Sequence, residues 1–106
     1  MRGVSTVVTS SERENVRSSW TFFTNHAHVL IALSRDPELR QRDLSDLVGI
    51  TPAAVQRILN DLVDGDYLRR ERIGRRNRYE IATNVALRHP LESDHTFDEI
   101  LTLLRD

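Results

Sequence analysis

Two stretches of this chain carry the residues whose types and spacing could do chemistry, and that chemistry is recognition of a polyanion. Arg69, Arg70, Arg72, Arg75, Arg76 and Arg78 fall within ten residues that contain one acid, Glu71. That segment carries +5, so the other 96 of the 106 residues carry −6 and the formal net charge of −1 conceals the asymmetry. A guanidinium keeps its charge and presents a planar fork of donors that matches phosphate oxygens. The second stretch runs from Thr51 to Asn60 and holds Gln56, Arg57 and Asn60. Arg fits the two acceptors of a guanine edge, and Gln or Asn fits the donor–acceptor pair of adenine.

The elements that must position these groups follow from local signals. Thr24 or Asn25 caps a helix over 25–35, which Asp36-Pro37 ends. Leu44, Leu47 and Val48 recur at helical spacing in a short second helix over 42–48, stopped by Gly49. Thr51 then offers a side-chain cap and Pro52 occupies a first helical position, where its missing N–H costs nothing, so a third helix runs from there to Asp64. Stepping about 100° per residue from Val55, Ile58, Leu59 and Leu62 lie within about 60°, while Ala53, Gln56, Arg57 and Asn60 lie roughly 100–200° away. One stripe is core and the opposite stripe is free. Small Ala53 permits close approach, and the helix N-terminus with Thr51 can take a phosphate. Asp61 and Asp64 would be repelled by a phosphate backbone, so contact is expected from the first two turns.

Gly65-Asp66 ends that helix. Tyr67–Ile73 and Arg78–Ile81 then flank Gly74-Arg75-Arg76-Asn77, where Gly and Asn accept the positive φ of a reversal, and this reads as a β-hairpin with a basic tip. If Arg72, Arg75, Arg76 and Arg78 meet phosphates, counterion release gives a log–log salt slope of about −3.6 per subunit. Arg70 and Asn77 complete the basic surface. On its own, an amphipathic helix with Gln56, Arg57 and Asn60 has merely a solvated face. Its place between a glycine turn and a basic hairpin is what points that face at a ligand. Helix, turn, helix and hairpin make the winged helix-turn-helix pattern, so the fold class is mainly α with a small β-hairpin (α+β) and an added C-terminal helix.

Leu44–Leu62, Gly65-Asp66-Tyr67-Leu68 and the Arg-rich hairpin resemble bacterial winged-helix transcription regulators of the MarR and ArsR type, and the likeness covers residues 25–82. The resemblance implies a sequence-specific double-stranded DNA-binding regulator, a repressor, with the third helix in the major groove and the wing over 69–81 on the backbone or minor groove. ArsR-type regulators often hold zinc through His and carboxylates on a terminal helix. Here His89, Glu92, Asp94, His95, Asp98 and Glu99 do not reproduce the ordered motif, and acids at a helix start serve capping, so no metal or other cofactor is expected.

The remaining residues set the organisation. Residues 1–19 read as a flexible arm, 20–85 as the DNA-binding domain, and 86–106 as a connector followed by a dimerisation helix that opens at Thr96-Phe97-Asp98-Glu99. Trp20, Phe22 and Phe23 at one end, with Phe97, Ile100, Leu101 and Leu104 at the other, are expected to pack around a two-fold axis into a homodimer, with two recognition helices one DNA turn apart or a multiple of it. A terminal helix folded back on its own domain is the alternative. An apolar crevice between the domain and the dimer helices could take a small-molecule effector. With no Cys, no glycine-rich phosphate loop and no nucleophile elbow, an enzyme is not expected. The longest apolar run, Val29–Leu33, is far short of a membrane span and no signal segment precedes it, so the cytoplasm is the expected location. The competing reading is a winged-helix interaction module that docks its Arg cluster on an acidic protein.

Overall fold

The structure is a computed structural model that describes residues 20–104. The arm expected over 1–19 lies outside the described residues. In chain order the elements are helices α1 (Asn25–Arg35), α2 (Gln41–Val48) and α3 (Pro52–Asp64), strands β1 (Leu68–Ile73) and β2 (Arg76–Ile81), and helix α4 (Phe97–Leu104). The architecture is α+β, with helices around a single antiparallel hairpin.

Caps decide where the helices begin and end. The Thr24 hydroxyl accepts from the Ala27 N–H at 3.4 Å, and the Thr51 hydroxyl accepts from the Ala54 N–H at 3.1 Å with Pro52 behind it in the first turn. Helix α2 starts one residue earlier than expected because Asp43 folds back to accept the Arg40 N–H at 3.1 Å. It stops at Gly49, whose φ of +83° is left-handed and whose N–H reaches the Ser45 carbonyl at 2.9 Å. At the end of α3 the left-handed residue is Asp66, φ +67°, and Gly65 serves differently. The N–H groups of Asp66 and Tyr67 reach back to Val63 and Leu62 at 3.1 and 2.9 Å. A Cβ on Gly65 would lie 3.2 Å from both the Asp61 carbonyl and the Tyr67 ring, so a side chain there would be crowded and its neighbours would have to give by a few tenths of an ångström.

Val29 and Leu33 of α1, Leu44 of α2 and Val55 of α3 are the most deeply buried side chains. Each contributes roughly 1.5–3 kcal/mol by leaving water, and together they fix how the three helices cross. Leu68 and Tyr79 of the hairpin join this core, and the Tyr79 N–H donates to the Pro37 carbonyl at 3.0 Å, which seats the base of the hairpin on the segment between α1 and α2.

Two expectations require correction. The hairpin reversal occupies two residues, Gly74-Arg75, because Ile73 pairs with Arg76 and Arg72 with Asn77. Gly74 has φ +62° while Asn77 lies within the strand, as in a reversal that needs its left-handed residue first. The second correction concerns α4. Phe97 and Leu101 are 5% and 4% exposed and belong to the chain's own core, so neither has surface left to give a partner. The spacing that marked them as an apolar face is real; the surface that face covers is α4's own domain.

Candidate nucleic-acid interface

The start of α3 is held from behind by α2. Gln41 Nε2 donates to the Pro52 carbonyl at 2.8 Å and the Ser45 hydroxyl donates to the Ile50 carbonyl, so the turn between the helices is tied at both ends. With Val55, Ile58, Leu59 and Leu62 buried, the other side of α3 faces out: Thr51, Pro52, Ala53, Arg57 and Asn60 are exposed and Gln56 is half-buried. The two side chains one turn apart are joined, Gln56 Nε2 donating to Asn60 Oδ1 at 3.1 Å. Arg57 has no hydrogen-bond or ion-pair partner among the described residues.

The strand register sorts the Arg cluster onto two faces. Arg70 pairs with Tyr79 and Arg72 with Asn77 on the face that continues from the core, while Arg69, Glu71, Arg78 and Arg76 lie on the other. Arg70 lies over the Tyr79 ring, 5.9 Å from its centroid, and Nη2 donates to Asn60 Oδ1 at 3.2 Å. Arg69 is neutralised by Glu80 at 3.0 Å. Arg72 Nε donates to the Gly74 carbonyl at 3.1 Å and Arg76 Nη2 to the Glu38 carbonyl at 2.9 Å, contacts that orient a charge without cancelling it. Arg75 and Arg78 make no hydrogen bond or ion pair among the described residues, although Arg78 stands opposite Glu71 in the register. The cluster therefore offers Arg72, Arg75, Arg76 and Arg78 as uncancelled charge.

A groove of about 380 Å³ joins these parts, with Gln56 of α3, Arg75, Arg76 and Asn77 of the hairpin, and Gln41 and Arg40 at the head of α2 on its walls. Arg40 was not singled out in the sequence. Its signal was its place just ahead of a helix that follows Pro37, where a cation and free backbone N–H groups meet.

The residues expected at a dimer interface lie on another side. Phe22 is 89% exposed and Trp20 62%, their rings edge-to-face with centroids 5.0 Å apart. Phe23 and Leu104 are also exposed and Ile100 is half-buried. Leu103, which was not among the residues expected at that interface, is 83% exposed. Beneath the aromatics a crevice of about 810 Å³ is lined by Phe22, Phe23, Leu30, Leu62, Phe97 and Ile100, with His26 and Asp61 paired at 2.9 Å on its rim. His28 Nδ1 instead contacts Asn25 Oδ1 at 3.1 Å. At the head of α4, His95 Nδ1 lies 2.8 Å from Glu99 Oε2. The hydrogen bond and charge of Glu99 raise the His95 pKa, and the His95 hydrogen bond, followed by that from the Thr96 N–H, lowers that of Glu99. Among the described residues no group of three or more His, Cys, Asp or Glu is placed to hold a metal ion, and no helix is long and apolar enough to cross a membrane.

A helix pair locked through a glycine turn, a second helix with one polar stripe exposed, and a hairpin directly after it define a winged helix-turn-helix protein. A family model described as MarR family matches residues 24–78, just over half of the chain. The chain belongs to the MarR family and is a DNA-binding transcription regulator, not an enzyme. It is 31% identical to the AntR antimony-specific transcriptional repressor over 74% of this chain and 72% of that one, with a TM-score of 0.48. It is similar in fold to MepR, a transcription regulator of the Staphylococcus aureus multidrug efflux pump MepA, at 18% identity and TM-score 0.50, covering 87% of this chain and 62% of that one. No curated protein sequence matches the chain.

Proposed function

We propose that this regulator is a homodimeric repressor that sets α3 in the major groove of duplex DNA and lays its wing on the adjacent backbone or minor groove. The observation that carries the reading is the groove that joins Gln56 of α3 to Arg75 and Arg76 of the hairpin. Base edges face Gln56 and Arg57, and phosphates face Thr51, Arg72, Arg75, Arg76 and Arg78. The two-fold contact is made by Trp20, Phe22 and Phe23 with Ile100, Leu103 and Leu104, which leave apolar surface uncovered in one chain. The crevice beneath those aromatics is the place we assign to a small apolar effector, and the cytoplasm, where such DNA lies, is the compartment. The antimony specificity named for one relative is not carried over, because these 106 residues include no Cys to supply a soft thiolate.

Anisotropy titration of labelled duplex against salt tests the reading. Four phosphate contacts per subunit predict a log–log slope near −3.6, roughly doubled for a dimer. A flat salt response on every duplex overturns it, and retention of an acidic protein in place of nucleic acid on purification gives the interaction-module reading instead. Sedimentation reports whether the particle has twice the 12.3 kDa of one chain.

A further inference from the structure

Asn60 sits where two donors converge. Its Oδ1 accepts from Gln56 Nε2, one turn back on α3, at 3.1 Å, and from Arg70 Nη2 on β1 at 3.2 Å. The orientation of the Asn60 amide follows from chemistry. A guanidinium has only donors, so the atom turned toward it is oxygen, and that same oxygen is what Gln56 must then approach with an amide hydrogen. Arg70 is itself held in place. It faces Tyr79 across the hairpin in the strand register, its guanidinium lies over that ring, and Tyr79 is buried with its N–H fixed to Pro37.

This arrangement divides two residues that look equivalent in the sequence. An amide side chain reads adenine by using one acceptor and one donor together. Asn60 has given its oxygen to two donors and keeps no such pair. Gln56 has given one amide hydrogen, and it retains its carbonyl oxygen and a second hydrogen, the pair an adenine edge requires.

We propose, resting on the DNA-binding reading above, that Arg70 is a positioning residue rather than a phosphate ligand: through Asn60 it holds the Gln56 amide in the orientation that reads adenine. The wing thus contributes to base selection without touching a base. Arg70 leaves the basic surface expected from sequence to meet DNA, and Asn60 becomes the link between helix and hairpin.

Selection of bound duplexes from a random-core library, done alongside salt titrations, tests this. The wild-type chain should enrich an adenine at one position of each half-site, and Gln56→Ala should abolish that preference. Arg70→Lys keeps the charge but lacks the fork that covers Tyr79 and reaches Asn60. It should leave the salt slope unchanged and reduce discrimination for adenine about fivefold, the weight of one lost hydrogen bond. Arg70→Ala should do the same, again with the slope unchanged. If Arg70→Ala makes the slope shallower by about 0.9, Arg70 is a phosphate ligand and the proposal is overturned. It is overturned equally if both Arg70 variants enrich the wild-type motif. A wild-type chain that enriches no motif would strike the DNA-binding reading itself, whereas a clear motif indifferent to Arg70 strikes only the coupling.

Discussion

Arg76 on the second wing strand donates through Nη2 to the backbone carbonyl of Glu38 at 2.9 Å, while Arg75, its neighbour in the turn, has no partner among the described residues. The two should therefore respond differently to truncation. Arg75→Ala should make the salt slope shallower by about 0.9 and leave melting within about 0.5 kcal/mol of wild type. Arg76→Ala should lower the slope equally and also speed amide exchange at Tyr79, whose N–H is seated on Pro37 beside that tie. Hydrogen exchange followed by NMR checks the difference, and an unchanged Tyr79 rate would show that Arg76 does not anchor the wing.

Arg57 is exposed on α3 with nothing to hold it but a ligand. Arg57→Ala should weaken binding by about 1–3 kcal/mol at the preferred duplex and by much less at random sequence, relaxing specificity at one position. Competition between the two duplexes measures this. A uniform loss on both would make Arg57 a backbone contact.

Gly49 is left-handed at φ +83°, and a Cβ there would meet nothing within 4 Å. Gly49→Ala should thus cost only the backbone strain of a non-glycine residue, about 1–2 kcal/mol, read as a lowered Tm. Gly49→Asn should cost less, since Asn tolerates that conformation. An alanine variant as stable as wild type would mean that the turn can be made another way.

The His95–Glu99 pair predicts a pH dependence for the head of α4. His95 has its pKa raised above 6.5, so its contribution is complete below that value and is lost as pH rises through the folded value. Glu99 has its pKa lowered below 4.5, so its contribution is present above that value and is lost as pH falls through the folded one. Protection of α4 amides should therefore be greatest between about pH 4.5 and 6.5 and decline on either side. His95→Gln should remove the alkaline decline, and a decline that persists would place the titrating group elsewhere.

The parts of this fold that were legible in the sequence are those set by neighbours along the chain. Helices α1 and α3 have the boundaries that Thr24, Pro37, Thr51 and Pro52 imply, because a hydroxyl cap and a proline act within one turn. The apolar stripe of α3 likewise follows from its period. What periodicity could not supply was the destination of a surface. Phe97 and Leu101 show the spacing of an apolar face, yet whether that face meets its own domain or another chain is decided by tertiary packing. The six Arg were countable, but only the folded hairpin shows that Arg69 is paired with Glu80 and that Arg70 is laid over Tyr79. The reversal at Gly74-Arg75 turned on the pairing of Ile73 with Arg76, a cross-strand contact that no single residue announces.

A sheet of two strands leaves both margins open, and an open margin is a template on which another copy can grow. Along β2 that template is interrupted where Tyr79 bonds to Pro37. Along β1 it is flanked by Arg69, Arg70 and Arg72, so a second hairpin approaching side by side brings guanidinium against guanidinium and is turned away. Of these, Arg72 is also one of the charges that draw in a polyanion, so the wing's guanidinium groups guard the chain against stacking into fibres as well as serving recognition, and removing all three would be expected to raise aggregation.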